Sequence, residues 1–355
     1  MSRIIGVLAC LAALGLFWVK ASGQNPGATG GVNSAESPKA SQENPPPASG
    51  AMPWRLGLWL WASGPFLQPE AGDQLLDFCA KHGIDILLAQ IHFQDAEKRD
   101  SLLPGYADFL RKAAQQDLRV EALEGEPEMA FASLRADTLQ RLDSILNFDL
   151  ALPPHERFSG LHYDIEFTSS PRWRTHPDPA DRQAMMREVL ETAQAIQDKI
   201  KTRAPELTVA YDLPQAYGVQ ADDFTLSFHG KTAPIYQHLQ DLSDYVVVMS
   251  YRQRGTGENS VVSMATPEII YAAQIGKTTC ISLDTEQSKD EPNTTFYGKS
   301  AATLEQTAAE SLRALGDRPG FGGLYLHHYG SLETILGQAT PFRHEVDARV
   351  TPTLP

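Results

Sequence analysis

Short apolar runs alternate with amphipathic stretches from Trp54 to the end of the chain. Some of these runs are apolar at consecutive positions, as in Val246-Val247-Val248-Met249, which is typical of parallel strands buried on both faces. The pattern predicts eight strands, which cover residues 56–61, 84–90, 118–123, 160–166, 207–212, 245–251, 278–284 and 323–328.

Helix signals lie between the predicted strands. Asp178 is suited to be the N-cap, and Pro179 the first residue, of a helix whose apolar side chains share one face. The members of that face are Met185, Val189, Ala193, Ile196 and Ile200. Thr266-Pro267-Glu268 is predicted to begin a second helix. Strands and helices therefore alternate along this part of the chain.

This alternation predicts the fold class. Eight strand-then-helix units in about 280 residues match the size of a closed (β/α)8 barrel, the TIM barrel of the α/β class. An open doubly wound sheet is the alternative, but no Gly-x-Gly-x-x-Gly follows the first predicted strand and no phosphate loop occurs. We therefore expect a single barrel domain over residues 54–340 and a C-terminal tail over residues 341–355.

The first 53 residues are predicted to lie outside the barrel. Residues 1–3 are short and basic, residues 4–19 are apolar and uncharged, and small residues follow at 21–23, which is the layout of a secretory signal. We expect residues 1–23 to be a signal peptide or a membrane anchor and residues 24–53 to be a flexible Pro/Gly/Ser-rich linker. The protein is then exported, periplasmic or extracellular, with the anchor as its possible membrane tether.

Charge and cysteine content argue against several classes of protein. Asp and Glu outnumber Lys and Arg by 44 to 30, and no Lys/Arg cluster offers a surface for phosphates, so no nucleic-acid partner is predicted. Three cysteines, Cys10, Cys79 and Cys280, are too few for a disulfide scaffold or a Cys-rich zinc module. The fold is expected to depend on its apolar core.

Polar and aromatic side chains collect where the predicted strands end, which is where a (β/α)8 barrel carries its chemistry. The residues at these ends include Trp59, Trp61, His92, Glu124, Asp164, Glu166, Asp212, Tyr251, Asp284, Glu286, His327 and His328. Cleavage of a glycosidic bond requires a carboxylic acid, a second group at the anomeric carbon and aromatic faces for sugar rings. The sequence thus predicts a carbohydrate substrate and a glycosidase site that uses no cofactor and no metal.

Asp164 and Glu166 are the predicted catalytic pair. Their spacing puts them on one side of a strand, and a neighbouring negative charge raises the pKa of Glu166, as a general acid requires. The side chains predicted to contact substrate are Tyr251, Trp59, Glu124, Asp212, Glu286 and His327. Of Trp59 and Trp61, only one is expected to face the site, while the other packs beneath a helix.

Several of these side chains have a structural alternative. Glu124, Asp212 and Glu286 could each form an ion pair at the barrel rim instead of a second site carboxylate. Tyr251 could be a core residue whose hydroxyl is hydrogen-bonded at the rim.

Three short motifs resemble those of a known family. Residues 159–166 read Ser-Gly-Leu-His-Tyr-Asp-Ile-Glu, similar to the Asp-Gly-x-Asp-x-Asp-x-Glu signature of the chitinase-like family-18 glycoside hydrolases. Residues 249–251, Met-Ser-Tyr, resemble the Met-x-Tyr of that family's sixth strand, and the glycines at 322–323 resemble the start of its eighth. The resemblance covers roughly residues 54–337 at the level of fold.

The resemblance implies roles for three residues. Glu166 matches the acid of the family, Asp164 matches the aspartate that orients an attacking N-acetyl group of the substrate, and Tyr251 matches the tyrosine that contacts that group. The chain departs from the family at Ser159, His162, Arg252 and His327. These departures indicate a divergent member of the superfamily rather than a typical chitinase.

The sequence has two alternative interpretations. A metal-dependent barrel hydrolase would draw its ligands from His92, His162, Glu166, Asp212 and His327, but no His-x-His pair and no helical His-x-x-x-His pair supports it. A non-catalytic carbohydrate-binding barrel would account for the departures from the family signature.

Overall fold

Eight parallel strands close into a barrel in the computed structural model, which describes residues 54–93, 96–289, 291–337 and 339–350. The barrel strands are β1 (Arg55–Leu60), β2 (Ile86–Gln90), β3 (Arg119–Glu124), β4 (Gly160–Tyr163), β5 (Thr208–Pro214), β6 (Tyr245–Met249), β7 (Thr278–Asp284) and β8 (Phe321–His327). Each strand pairs with its neighbours in the chain, and β8 pairs with β1. The predicted (β/α)8 fold is confirmed. The predicted signal and linker, residues 1–53, lie outside the described residues.

All eight predicted strands are present; the first and the last end one residue earlier than expected, and two others end earlier by two residues or more. β4 stops at Tyr163 because Glu166 begins a single helical turn, Phe167–Ser169. β6 stops at Met249 because the backbone N–H of Ser250 turns back onto the carbonyl of Val248, at 2.7 Å.

The strands alternate between an inner and an outer face. Nine mostly apolar side chains pack together inside the barrel, and these are Trp59, Ile86, Leu88, Leu123, Ala210, Tyr245, Val247, Cys280 and Tyr325. The residues between them point outward, as Leu58, Leu87 and Val246 do, and join the core beneath the helices. Both faces are covered, which explains the nearly continuous apolar runs of the sequence.

Helices form the outer layer of the barrel. The longer ones are Pro69–His82, Ala96–Gln115, Arg135–Ala151, Pro179–Arg203, Val261–Gln274, Ala301–Leu315 and Tyr329–Leu336. Asp178 caps its helix as predicted, because its side chain accepts from the N–H of Ala180 at 2.8 Å. The predicted helix start at Thr266 is wrong, since Ser260 and Ser263 form a reciprocal capping box five residues earlier. No helix in the described ranges is long and apolar enough to cross a membrane.

The connection from β5 to β6 differs from the others. It holds a short helix, Ala216–Val219, then an antiparallel hairpin of Thr225–Phe228 and Lys231–Pro234, and then the helix Ile235–Asp241. His229 and Gly230 at its turn have φ angles of 48° and 82°, which matches a tight two-residue hairpin.

The segment that the sequence sets apart as a tail contains a packed helix, Phe342–Val350. Phe342 and Val346 are fully buried, and Arg343 donates to the backbone carbonyls of Trp54 and Gly83 at 3.2 and 2.9 Å. This helix therefore holds the first barrel strand in place from the amino-terminal end of the barrel.

Candidate active site

Three predicted site carboxylates meet where β4 and β5 end. Tyr163 pairs with Tyr211, so the next inward residues of the two strands, Asp164 and Asp212, lie side by side. The N–H of Asp164 still donates to the carbonyl of Glu124 at 2.8 Å, which keeps the chain extended at that point. Glu166 follows at the start of the helical turn and stays in the same cluster.

Burial changes the pKa values of the carboxyl groups in this cluster. It raises the pKa of Asp164 well above its usual value, and the charges of Asp212 and Glu166 raise it further. Burial also raises the pKa of Glu166, where Asp212 adds to the rise and His327 opposes it. Asp164 and Glu166 therefore titrate as a coupled pair, and the pair holds a proton to higher pH than ordinary carboxyl groups do.

Trp59 of β1 and Trp61, one residue after that strand, both face the barrel interior. The indole N–H of Trp59 donates to Asp212 Oδ2 at 3.0 Å, and that of Trp61 donates to His327 Nε2 at 3.0 Å. The expectation that only one of them faces the site is wrong, because residues two positions apart in a strand share a face. Trp59 is buried, whereas Trp61 is partly exposed above it.

His327 links β8 to β7 at the same level. Its Nδ1 lies 2.9 Å from Asp284 Oδ1, and the indole N–H of Trp61 can only donate, so in the neutral ring Nε2 accepts and Nδ1 carries the proton. Burial lowers the pKa of His327, but the hydrogen bond and charge of Asp284 outweigh it and raise the pKa above its usual value. The ring of Tyr251 lies 5.9 Å from the His327 ring, so this predicted contact residue joins the cluster.

The two remaining predicted contacts lie in different places. Glu286 stands at the rim, with its side chain 46% exposed and its N–H donating to Asp284 Oδ1 at 3.0 Å. Glu124 does not reach the cluster. It points to the outer face of β3, where burial raises its pKa to about 7 while Arg141, 3.4 Å away, lowers it. The reason is alternation, since Leu123 points inward.

Three inward side chains, Asp284, Glu121 and His162, were not among the predicted catalytic or substrate-contacting residues. Asp284 holds His327, and a second layer below the site contains Glu121 and His162, which are hydrogen-bonded to each other at 3.2 Å. His162 lies two residues before Asp164, so strand alternation alone could have placed it inside. Glu121 is a charged residue between apolar neighbours, which was an available signal as well.

Two of the histidines considered as metal ligands have both ring nitrogens engaged. His162 is hydrogen-bonded to Glu121 and Asp212, and His327 to Asp284 and Trp61. In the part of the chain that the structure describes, no group of three or more His, Cys, Asp or Glu side chains is arranged to hold an ion.

Known structures share the fold of this chain. No family model and no curated protein matches the chain. A β-glucuronidase from Bacteroides uniformis matches with a TM-score of 0.53 and 12% identity, over 85% of this chain and 36% of that one. The exo-β-1,4-mannosidase Op5Man5 from Opitutaceae bacterium strain TAV5 matches with a TM-score of 0.52 and 12% identity, over 84% of this chain and 61% of that one.

A further neighbour belongs to the family that the sequence motifs resemble. A GH18 chitinase from Pseudoalteromonas aurantia matches with a TM-score of 0.50 and 11% identity, over 78% of this chain and 94% of that one. At such identities the likeness establishes the barrel fold. The chain is thus a (β/α)8 barrel whose structural neighbours include glycoside hydrolases of several kinds.

Proposed function

We propose that the protein is a glycoside hydrolase that cleaves an oligo- or polysaccharide, with Glu166 as the general acid. The observation that carries this proposal is the pair Asp164 and Glu166, whose pKa values are both raised by burial at the C-terminal mouth of the barrel. Partly exposed aromatic side chains, Trp61 and Tyr251, stand beside the pair and offer faces for a sugar ring.

The chemistry follows from the proton that the pair retains. Glu166 gives its proton to the glycosidic oxygen while the bond from that oxygen to the anomeric carbon breaks. The positive charge on the anomeric carbon is offset by the carboxylates around it, of which Asp212 and Asp284 are held by hydrogen bonds. Water then supplies a hydroxyl to the anomeric carbon and returns a proton to Glu166.

We propose that the protein is a divergent relative of the family-18 enzymes. Asp164, Glu166 and Tyr251, the residues that match the family motifs in the sequence, lie close enough for the two carboxylates to raise the pKa of the tyrosine, which supports this assignment. In that case an N-acetyl group of the substrate attacks the anomeric carbon, oriented by Asp164 and Tyr251. His162 and Arg252, which replace residues of the family pattern, make the substrate the first question to test.

A substrate screen tests the proposal directly. Residues 54–355 are incubated with matched N-acetylated and non-acetylated oligosaccharides, and products are detected by mass spectrometry. Cleavage of N-acetylated sugars alone supports the family-18 route, and cleavage of both supports attack by another group. Binding of a sugar without turnover would instead identify a carbohydrate-binding barrel.

Replacing the acid gives the sharper test. Glu166→Gln keeps the shape of the side chain but removes the transferable proton, so kcat should fall by about 10² to 10⁴ while sugar binding survives. Glu70→Gln, an exposed change at the start of the helix Pro69–His82, serves as the matched control. Full activity of Glu166→Gln on a sugar that the parent cleaves would place the acid elsewhere.

We also propose that the protein is exported. The support is the basic start, the apolar stretch and the small residues of the first 23 positions. The mass of the protein recovered from the native cell envelope tests this, since a cleaved signal removes about two dozen residues and an anchor leaves them in the membrane fraction. Recovery of the full chain from the cytoplasm would contradict it.

A further inference from the structure

A row of hydrogen bonds crosses the barrel interior beneath the candidate site. The hydroxyl of Tyr325 donates to that of Tyr245 at 3.2 Å, which donates to Glu121 Oε2 at 2.6 Å. The ring of His162 joins Glu121 Oε2, 3.2 Å from its Nδ1, to Asp212 Oδ1, 2.9 Å from its Nε2. We call Glu121, His162 and Asp212 the buried triad.

Apart from Tyr325, which donates to Tyr245, the donors around the triad point at its two carboxylates. An indole can only donate, so Trp59 donates to Asp212 Oδ2, 3.0 Å away. Thr208 donates its hydroxyl to Glu121 Oε1 at 3.2 Å. Both ring nitrogens of His162 face carboxylate oxygens. The hydroxyl of Tyr245 also lies 3.3 Å from Nδ1, but its shorter bond, at 2.6 Å, goes to Glu121 Oε2, so both ring nitrogens are satisfied at once only if each carries a proton. The geometry therefore describes an imidazolium between two carboxylates.

Electrostatics agree with this protonation state. His162 is fully buried, and burial lowers its pKa, but the charges and hydrogen bonds of Asp212 and Glu121 outweigh burial and raise the pKa to about 10. Ionisable groups from several strands surround the triad, whereas β2 contributes only the apolar Ile86 and Leu88. The ionisable groups are Arg55 on β1, Asp164 and Glu166 on and after β4, Tyr245 and Tyr251 on and after β6, Cys280 on β7, and Tyr325 and His327 on β8.

We propose that His162 is a positioning residue for the reaction: as an imidazolium braced by Glu121, it fixes the Asp212 carboxylate beside Asp164 and places a permanent positive charge under the catalytic pair. This role rests on the proposed function, although the protonation of His162 does not. His162 is two residues from Asp164 on one strand and touches no position that a sugar could reach, because its side chain has no exposed surface.

The positive charge has a definite effect on the catalytic pair. It lowers the pKa of Asp164, against the rise caused by burial and by Asp212. Without it, the coupled pair of Asp164 and Glu166 keeps its last proton to higher pH, so the alkaline limb of the activity profile moves upward. Substrate contacts do not change, so the effect falls on kcat rather than on KM.

The protonation state is tested by NMR on the full folded barrel. Histidine labelled with ¹⁵N distinguishes a doubly protonated ring from a neutral one. At pH 8 we expect a doubly protonated ring whose signals disappear from the spectrum in His162→Gln. In Glu121→Gln, which preserves the shape of the side chain, its titration midpoint should fall by at least about 1 pH unit, as expected when a charged partner is lost. His238→Gln is the control. Burial lowers the pKa of His238, so its ring is neutral at pH 8, and its replacement should leave the signals of the doubly protonated ring in place.

The positioning role is tested by two further readouts. In His162→Gln the indole N–H resonance of Trp59 should shift, since Asp212 has lost its second partner. The kcat should fall by up to about 10²-fold with KM nearly unchanged, and the alkaline limb should rise by about 1 pH unit.

The outcomes separate this inference from the proposed function. A neutral His162 at pH 8, an unchanged midpoint in Glu121→Gln, or an unmoved Trp59 resonance would overturn it. An alkaline limb that stays in place or moves to lower pH would do the same. If no sugar is cleaved, the proposed function fails, while the histidine and indole spectra still decide whether the triad is charged and whether it holds Asp212.

Discussion

Asp164 and Glu166 depend on each other at the scale of single residues. Each lies in a partly buried environment that disfavours charge, and the ionisation of one raises the pKa of the other. The position after β4 provides this environment, since Asp164 is held extended by Glu124 O while Glu166 begins the helical turn. The pair is thus a product of backbone placement as much as of residue type.

Removing one member of the pair should therefore shift the pH profile. In Asp164→Asn the last proton of the site belongs to Glu166 alone and leaves at lower pH, so the alkaline limb of kcat should move downward. This is the opposite of the shift expected for His162→Gln. Initial rates from pH 5 to pH 9 on a sugar that the parent cleaves measure both. An upward shift in Asp164→Asn would show that the two carboxyl groups do not titrate together.

At the scale of elements, the helix Val261–Gln274 carries an unusual buried residue. Glu268 is fully buried on its inner face, and neither carboxyl oxygen has a hydrogen-bond partner among the residues that the structure describes. A side chain at Gly218 would meet Glu268 Oε1 at 2.2 Å. Burial raises the pKa of Glu268 to about 8. The carboxyl group is therefore neutral in the folded protein at neutral pH.

This burial makes the stability depend on pH. The folded pKa lies above the unfolded one, so the contribution of Glu268 to stability is complete below about pH 4 and is lost as pH rises through 8. Glu268→Gln is neutral at every pH, so its melting temperature relative to the parent should be higher at pH 8 than at pH 5. The difference corresponds to a few kcal/mol at most, at about 1.4 kcal/mol for each unit of pKa.

A surface substitution provides the control for this prediction. Glu258→Gln makes the same chemical change at an exposed position just before the helix. Its melting temperature should follow that of the parent at both pH values. An equal effect of the two substitutions would mean that burial of Glu268 does not control the pH dependence.

At the scale of the whole molecule, the barrel is held closed from both ends of the folded chain. Trp54 donates its indole N–H to Asp347 at 3.1 Å, and the N–H of Phe342 donates to His82 Nδ1 at 3.2 Å. Arg343 also pairs with Asp85, just before β2. The last helix is therefore part of the domain that β1 begins.

Deletions from the two ends of the chain should affect the free energy of unfolding differently. Ending the chain at residue 340 removes Phe342 and Val346 from the core, and each fully buried apolar side chain is worth about 1.5 to 3 kcal/mol. The free energy of unfolding should then fall by about 3 to 6 kcal/mol in urea denaturation. Starting the chain at residue 54 should leave it unchanged, because residues 1–23 have the layout of a secretory signal and residues 24–53 have almost no large apolar side chains. Phe342→Ala in the full chain should reproduce part of the first loss.

The sequence by itself determined the fold class, the eight strands and several side chains of the candidate site. Consecutive apolar residues reveal a strand buried on both faces, and residue type reveals the carboxylates at its end, since both are local properties. Asp164, Glu166, Asp212, Tyr251 and His327 were predicted on that basis, and the structure brings them together.

Only the tertiary structure decided which side chains share a space and how they are charged. Glu124 points outward to Arg141 while Glu121, three residues earlier, points inward to His162 on the next strand. Nothing local to β3 specifies those partners, because they come from other segments of the chain. The charge of His162 and the raised pKa of Glu166 likewise depend on burial and on neighbours distant in sequence, which exist only once the barrel has closed.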